Sequence, residues 1–236
     1  MLIKQIKEIE IRNKIPIEIE KTADQIKRIQ ENWKEYIKEN KNVFNGKIIV
    51  VTDYQIEDEK ITLEIATAFY ADLVYAKKYE DLKVWPYFSA IILKTLDEFY
   101  VIIKNNKEIL NLIGGMGNEE DYEKEEFRPD YTLERELKEE LGLSLNNKEE
   151  IVSFSLKYIE LAGKEERIHP CGLIYTGNLN YTKEELIKHV MHNKKQIDKE
   201  VKELLFYNQK TYKSLELEPK KVSYLTEVFE HILKNE

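Results

Sequence analysis

Three glutamates at helical spacing are the residues of this chain best placed to do chemistry. Glu136, Glu139 and Glu140 lie in the run RELKEELGL at positions i, i+3 and i+4, so a helix puts their carboxylates on one side. Like charges at this spacing repel one another and weaken an isolated helix. A divalent cation would neutralise them, because Mg²⁺ and Mn²⁺ prefer carboxylate oxygens. Since 35% of the chain is charged, spacing alone also allows a solvated acidic face.

A helix must hold these carboxylates, and the sequence predicts one from about Tyr131 to Leu141 with Gly142 as its C-terminal cap. Leucines recur at every fourth position on the other face: Leu133, Leu137 and Leu141. This helix can therefore bury one stripe and present an acidic edge. Arg135 precedes the acidic cluster and can hold one carboxylate in a fixed rotamer.

The run from Gly115 to Leu143 resembles the Nudix box. That signature reads G, five residues, E, seven residues, then R-E-aliphatic-x-E-E-x-G-aliphatic. Its second half matches here at every fixed position: Arg135, Glu136, Leu137, Glu139, Glu140, Gly142 and Leu143. Gly115 is the second glycine of IGGMG, which ends a predicted strand. A strand, a glycine pair, an acidic loop and a helix therefore follow one another in the order of the box.

The first half of the box departs from the family pattern. Five residues separate Gly115 from Asp121, where the family has glutamate, and Asp121 then lies 14 positions before Arg135 instead of eight. The loop thus carries six extra residues. Glu125 or Glu126 takes the glutamate's role instead if the insertion lies earlier, so the sequence leaves the loop acid within 119–126 open.

The resemblance covers about Tyr87 to the C-terminus and implies an αβα sandwich with a mixed central sheet. It also implies an enzyme that uses Mg²⁺ or Mn²⁺ to hydrolyse a nucleoside diphosphate linked to another moiety. Clustered carboxylates suit that reaction, because bound metal ions neutralise phosphate oxygens and activate water. A Nudix-like module that binds or senses a nucleotide without cutting it is the alternative, and the altered front of the box motivates it.

The resemblance also assigns roles to residues of this sequence. Glu136, Glu139 and Glu140 are expected to bind the metal, and the Gly115 backbone carbonyl is a further candidate ligand. Catalytic roles fall to Glu139, Glu140 and Arg135, with one of the glutamates or a loop acid as base. Arg135 is expected to orient Glu136 or a neighbour and not to touch the substrate.

A later acidic segment, EVKELLFYN, offers two more candidates. In several relatives an acid from the matching region helps to bind metal or activate water. Glu200 and Glu203 lie there in this chain, and each can equally be an exposed glutamate at a strand end.

Residues 1–85 precede the part that resembles a Nudix core, and residues 86–236 form the predicted Nudix domain, with a boundary near Trp85-Pro86. The order of a tryptophan-bearing helix, an FNG turn and a hairpin resembles the front of Nudix hydrolases that act on UDP-glucose-type nucleotide sugars. A nucleotide sugar is therefore the first guess for the substrate. Tyr70 or Tyr75 could lie near its base or sugar, and core packing is the alternative for both.

The remaining pattern predicts an α+β or mixed α/β fold. Alternating runs predict short strands in IEI and IPIEIE, and Thr22 is a predicted N-cap of the next helix. YFSAIILKT and EFYVIIKN predict a hairpin around Leu96-Asp97, and PKKVSYLTEVFEHILKN predicts a last helix with one apolar face. The segment YADLVYAKKYED is compatible with helix or loop.

Composition excludes several classes of function. The chain has 236 residues, 42% of them hydrophobic, which is enough for a sizeable core. Its net charge of -8 argues against nucleic-acid binding, which needs a basic face. The lone cysteine, Cys171, and the absence of a long apolar run predict a cytoplasmic protein without a membrane anchor. The oligomeric state stays open, with a homodimer among the alternatives.

Overall fold

The computed structural model describes residues 2–41, 43–161, 168, 170–193, 197, 200–222 and 224–235. The helices are α1 (Ala23–Glu39), α2 (Tyr70–Lys78), α3 (Pro129–Leu141), α4 (Lys183–Asn193), α5 (Leu225–Asn235) and a 3-10 helix at Tyr212–Leu217. The strands are β1 (Leu2–Gln5), β2 (Glu8–Arg12), β3 (Lys47–Glu57), β4 (Lys60–Phe69), β5 (Trp85–Lys94), β6 (Tyr100–Asn105), β7 (Leu110–Asn111), β8 (Ile113–Met116), β9 (Tyr122–Glu123), β10 (Glu126–Phe127), β11 (Ile151–Leu161), β12 (Cys171–Leu179) and β13 (Val201–Tyr207). No helix within the described ranges is both long and apolar enough to cross a membrane.

Most of these strands join one sheet, in which β5 is central. The main path runs β1-β11-β12-β5-β3-β4-β2, while β6 and β8 also pair with β5, and β7 and β13 pair with β6. The β12–β5 and β2–β4 pairs are parallel and the other pairs are antiparallel, so the sheet is mixed. Nine of the ten residues of β5 are buried, as expected for a strand covered on both faces.

Helices cover both faces of this sheet. Ile91 and Ile92 are neighbours on β5 and point to opposite sides, so they enter different cores. Ile91 packs in the core that holds the α3 leucines, and Ile92 packs in the core that holds Phe229 of α5. The predicted mixed α+β class and the helix–sheet–helix layering are therefore confirmed.

Strands from the N-terminal region, before Trp85, extend the same sheet. β1 pairs with β11, and β3 pairs with β5 through Val50–Pro86 and Val51–Trp85. Trp85-Pro86, near which the sequence placed a boundary, is the start of β5. Proline is tolerated there because it lies near the start of a strand. The division into 1–85 and 86–236 stays a prediction, and the sheet is continuous across it.

Some predictions made from the sequence for the N-terminal region and the strands after it are confirmed, and one is wrong. Thr22 forms a capping box with Gln25, which confirms the predicted start of α1. The IPIEIE run is not the predicted strand, because only Glu18 forms a bridge, to Thr67. YADLVYAKKYED, which the pattern left undecided, is largely helix α2. The predicted hairpin around Leu96-Asp97 is confirmed by β5 and β6.

The buried carboxyl of Glu160 on β11 predicts a pH-dependent stability. Burial, and then the charge of Glu227, raise the pKa of Glu160 to about 8. Between the ordinary carboxyl pKa and about 8, Glu160 is therefore protonated in the folded protein and ionised in the unfolded chain. Stability is complete below that ordinary value and falls as pH rises through about 8.

We expect Glu160→Gln to remove this dependence. Between pH 5 and pH 9 the wild type should lose roughly 2–4 kcal/mol of unfolding free energy that the variant keeps. Urea unfolding at both pH values measures the difference, with exposed Glu184→Gln as the control. Parallel losses in the wild type and Glu160→Gln would show that Glu160 is not the group responsible.

Candidate metal centre and substrate cleft

Helix α3 carries the acidic cluster and is fixed at both ends by its sequence. Pro129 starts it two residues before the predicted Tyr131, because proline suits the first helical turn. Gly142 ends it in the left-handed region with φ 68°, which confirms the predicted cap. Leu133, Leu137 and Leu141 are each 0% exposed, so the opposite face of the helix carries the glutamates.

Glu136 and Glu140 lie against the glycine strand β8. The N–H of Gly114 donates a 2.9 Å hydrogen bond to Glu140 Oε2. A Cβ at Gly115 would collide with the Glu136 carboxylate, so a larger residue there would have to displace this side chain. Both glutamates line an open cleft of about 460 Å³. The structure therefore brings these two predicted ligands together with Gly115.

Arg135 is held by several oxygens at once. Its Nε donates to Asp121 Oδ1 at 3.0 Å, and its Nη1 donates to Glu136 Oε1 at 2.7 Å and Glu139 Oε2 at 3.3 Å. Its Nη2 donates to the Met116 carbonyl at 2.9 Å and to Asp121 Oδ2 at 3.2 Å. Arg135 therefore contacts the Glu136 carboxylate and ties α3 to the loop after β8. Its role in orienting Glu136 stays a prediction.

The extra loop residues form the small hairpin β9–β10. Arg128 N donates a 2.9 Å hydrogen bond to Asp121 O, so the hairpin leaves and rejoins the loop between these two residues. Asp121 is 1% exposed and accepts from Arg135, from Thr132 Oγ1 at 2.8 Å and from Asn118 N at 2.9 Å. Its two oxygens therefore face protein donors.

The other loop acids lie away from this network. Glu126 forms an ion pair with Lys14 at 3.2 Å, and about half of its side chain is exposed. Glu125 is exposed and has a positive φ of 71° in the hairpin turn. Of the three loop acids considered from the sequence, only Asp121 contacts the second half of the box.

The remaining acidic candidates differ in their positions. The side chain of Glu139 is 44% exposed and reaches Arg135 from the edge of the cluster. Glu200 lines the cleft, and its charge acts on Glu140. Glu203 forms an ion pair with Lys104 at 3.3 Å and does not line the cleft.

Burial makes the two cleft carboxylates costly to ionise without a cation. Desolvation raises the pKa of Glu136 to about 7, against the lowering effect of the Arg135 charge. Desolvation, followed by the charge of Glu136, raises the pKa of Glu140 well above its ordinary value. Burial alone would lower the pKa of Arg135, but its bonds to Asp121 and the charge of Glu136 raise it.

The residues present fit a Mg²⁺ or Mn²⁺ ion that also binds substrate. Within the described ranges, no group of three or more His, Cys, Asp or Glu side chains is placed to hold a metal ion. Mg²⁺ is usually bound by one or two carboxylates, with waters and substrate phosphates as the other ligands. Glu136 and Glu140 supply two such carboxylates in an open cleft, and the donor set contains only oxygen, as these ions prefer.

The sequence singled out only one of four further residues that line the cleft. Phe44, Lys47, Tyr70 and Asn111 all line it. Tyr70 was considered near the substrate, but Phe44 and Lys47 carry no motif that could have identified them. Tyr75, the other tyrosine considered, is 0% exposed and its hydroxyl donates to Asp81 at 3.0 Å, so it packs in a core away from the cleft.

Cys171, the lone cysteine, begins β12, and His169 before it lies outside the described residues. Cys171 is buried, and burial raises the pKa of its thiol. These properties are those of an inert core cysteine.

Comparisons with known proteins give structural neighbours only. No family model matches the chain, and no curated protein matches it. DR0079 from Deinococcus radiodurans is similar with 9% identity and a TM-score of 0.48, over 78% of this chain and 98% of that protein. The MutT protein from Methanosarcina mazei Go1 has 11% identity and a TM-score of 0.42, over 67% and 98%.

The NUDIX domain of Shewanella oneidensis NrtR, solved in complex with ADP ribose, has 14% identity and a TM-score of 0.42, over 69% of this chain and 97% of that domain. The solved structures similar to this chain thus include proteins named as MutT and Nudix, the family whose box the run from Gly115 to Leu143 resembles.

Proposed function

We propose that this chain is a divalent-metal-dependent pyrophosphohydrolase that cleaves a nucleoside diphosphate linked to another moiety. One observation supports it most: Glu136 and Glu140 lie side by side, half-buried in a cleft, against a strand where Gly115 makes room for Glu136 and Gly114 N–H donates to Glu140. Two desolvated like charges are unfavourable unless a cation neutralises them. A protein that only binds a nucleotide has no need of such a pair.

The residue roles follow from these positions. Glu136 and Glu140 would hold the metal, with the Gly115 carbonyl and Glu139 as further ligands at the edge. When bound, Mg²⁺ or Mn²⁺ would neutralise charge on the phosphate oxygens and lower the pKa of a water. Glu139 or Glu140 would accept the proton of the attacking water. Arg135 acts as a positioning residue that fixes Glu136.

Asp121 is proposed to take the place of the first box glutamate. If the hairpin 122–127 is left out, five residues separate Gly115 from Asp121 and seven separate Asp121 from Arg135, as the box requires. The hydrogen bond between Arg128 and Asp121 closes the base of this insertion. The shorter aspartate supports α3 through Arg135, so the altered front of the box does not by itself remove the site.

The proposed reaction is a hydrolysis at phosphorus. The water oxygen forms a new P–O bond and loses a proton to Glu139 or Glu140, while the bridging P–O bond breaks and its electron pair leaves with the other phosphate. Both products are phosphate monoesters that are mainly dianions at neutral pH, so the protons of the water pass to solvent. A nucleotide sugar would give a nucleoside monophosphate and a sugar phosphate, and it is the first substrate to test.

Turnover of a substrate panel tests this function. UDP-glucose, ADP-ribose, diadenosine polyphosphates and nucleoside triphosphates are each incubated with Mg²⁺, Mn²⁺ or EDTA, and the products are separated by chromatography. We expect metal-dependent cleavage of one class and none in EDTA. Nucleotide binding without cleavage of any compound would contradict the enzyme and favour the sensor module.

A further inference from the structure

A second cavity, the α1 pocket, is lined by helix α1 and the first turn of α2. It has a volume of about 260 Å³ and lies behind one wall of the cleft. Neighbouring residues alternate between the two cavities: Asn45 and Ala71 line the α1 pocket, whereas Gly46 and Tyr70 line the cleft. The α1 pocket is therefore separate from the site proposed for metal and substrate.

Helix α1 gives this pocket an apolar wall. Ile26, Ile29 and Trp33 lie at i, i+3 and i+7, so they share one face of the helix, and all three line the pocket. Ile26 is 43% exposed, so the wall can be reached from solvent. A ligand that fits this wall has an apolar part.

A buried ion pair forms the polar end of the pocket. Lys21 Nζ lies 2.9 Å from Asp72 Oδ2, and the two side chains are only 8% and 2% exposed. Lys21 Nζ also lies 2.7 Å from Glu18 Oε1 and faces the Phe69 ring, 5.6 Å from its centre. Burial alone would lower the pKa of Lys21, but its hydrogen bonds to Glu18 and Asp72 raise it. Lys21 is thus a cation that the protein itself neutralises.

The charges of the lining residues favour a positively charged ligand. Glu18 and Asp72 are acidic and Lys21 is basic, so the lining carries one net negative charge. An anionic ligand would meet two carboxylates and an ammonium group that they already engage. A cationic ligand would bring the sum of the charges to zero.

Asp72 has an oxygen to offer such a ligand. Phe69 N donates to Asp72 Oδ2 at 2.7 Å, and Lys21 Nζ donates to the same oxygen at 2.9 Å. The hydrogen bonds that the described residues donate to this carboxylate thus end on one oxygen, which leaves Oδ1 to accept from a ligand. A bond from a charged donor to a carboxylate is about twice as strong as one between neutral groups.

We propose that the α1 pocket binds a small organic cation, with its ammonium group on Asp72 Oδ1 and its apolar part against Ile26 and Trp33. The volume is below the range of about 300–1,000 Å³ that is typical of pockets for drug-sized ligands, so the ligand is a single ring or a short chain. This site does not rest on the proposed hydrolysis, because different residues form it.

Three probes of similar shape and different charge test the site: 2-phenylethylamine, 2-phenylethanol and phenylacetate. Each is titrated into the ¹⁵N-labelled full chain, without nucleotide or metal ion, and the indole N–H signals are followed by NMR. The chain has two tryptophans, and Trp33 lines the pocket whereas Trp85 is 2% exposed in the main core. Trp33→Phe assigns the two signals.

We expect 2-phenylethylamine to shift the Trp33 signal in a saturable manner, with a Kd on the order of 1 mM or lower. The alcohol should bind at least about tenfold more weakly, because it lacks the charge that Asp72 recognises. Phenylacetate should give no saturable shift. No saturable shift of Trp33 with the amine, or equal affinities for the amine and the alcohol, would overturn the proposal.

Variants locate the bound amine. Asp72→Asn should weaken its binding at least about tenfold, and Ile26→Ala about threefold or more. Ile37→Ala is the matched control for Ile26→Ala, because Ile37 lies on the same helix, is 38% exposed and is not among the residues that line the pocket. Glu140→Gln should leave the affinity unchanged, since Glu140 lines the cleft.

The comparison decides the position even if Asp72→Asn does not fold. Ile26 and Ile37 are both partly exposed, so their alanine variants should keep the fold, and equal affinities in the two would overturn the proposed position. Weaker binding in Glu140→Gln would place the amine in the cleft and also overturn it. None of these results depends on whether the chain hydrolyses a nucleotide.

Discussion

Glu140→Gln is expected to lower metal-dependent hydrolysis by at least about 10²-fold, because a neutral amide is a poor ligand for Mg²⁺ and cannot accept a proton. The backbone bond from Gly114 can survive, since the glutamine oxygen still accepts. The loss should therefore fall on kcat and not on the fold. Steady-state rates in saturating Mg²⁺ and Mn²⁺ measure it.

Melting curves separate this loss from unfolding. In EDTA the variant should melt at the wild-type temperature or above it, because it no longer buries a carboxyl whose pKa desolvation raises. Glu184→Gln, on the exposed face of α4, is the control and should keep wild-type rates. Unchanged hydrolysis in Glu140→Gln would show that the reaction does not use this carboxylate.

Asp121→Asn is expected to reduce both stability and activity. The change leaves the partly buried Arg135 without its main counter-charge, which we expect to lower the unfolding free energy by about 2–4 kcal/mol. Arg135 would then bind Glu136 and Glu139 more tightly and compete with the metal for them. Urea unfolding and kcat measure the two effects.

Variants of the two other loop acids, Glu126 and Glu125, are the controls for Asp121→Asn. Glu126→Gln removes only an exposed ion pair with Lys14, so it should cost less than about 0.5 kcal/mol. Glu125→Gln should be neutral, because Glu125 is exposed in the hairpin turn. If either variant abolished activity while Asp121→Asn did not, the insertion would have to lie before the functional acid, and Asp121 would not fill the box position.

The local parts of the site could be predicted from the sequence because they depend on local rules. The spacing of Glu136 and Glu140, the leucine stripe and the Gly142 cap all follow from helix geometry. The strand that ends in Gly115 follows from its apolar run and paired glycines. These elements are close neighbours along the chain, so no long-range contact was needed to relate them.

The parts that the sequence left open depend on long-range contacts. The choice of Asp121 over Glu125 or Glu126 required knowing that residues 122–127 form a hairpin closed by Arg128. To predict that the start of β3 lies beside the cleft, one had to know that Ile49 N–H donates to Gly117 O, and these residues are far apart in the sequence. Phe44, just before β3, and Lys47, its first residue, give no local sign of this neighbourhood.

The IPIEIE run is a wrong prediction of another kind. Its alternating pattern is clear, but the run has no neighbouring strand with which to form a ladder. Alternation predicted a strand, but the β2–β4 pairing already occupies the edge from Lys60 to Glu64. The run meets the sheet only at Thr67, whose N–H donates to Ile17 O and whose carbonyl accepts from Ile19 N, so it forms one bridge and no strand. Ile17 itself is 77% exposed, so its apolar side chain does not contribute to a core.

The metal dependence of turnover tests the central claim most directly. Wild-type protein is stripped with EDTA and assayed on the panel substrate that it cleaves, before and after Mg²⁺ or Mn²⁺ is restored. The account predicts no turnover in EDTA and full recovery with metal in the wild type, and little recovery in Glu136→Gln or Glu140→Gln. Turnover that persists in EDTA, or recovers fully in both variants, would contradict a metal centre on α3.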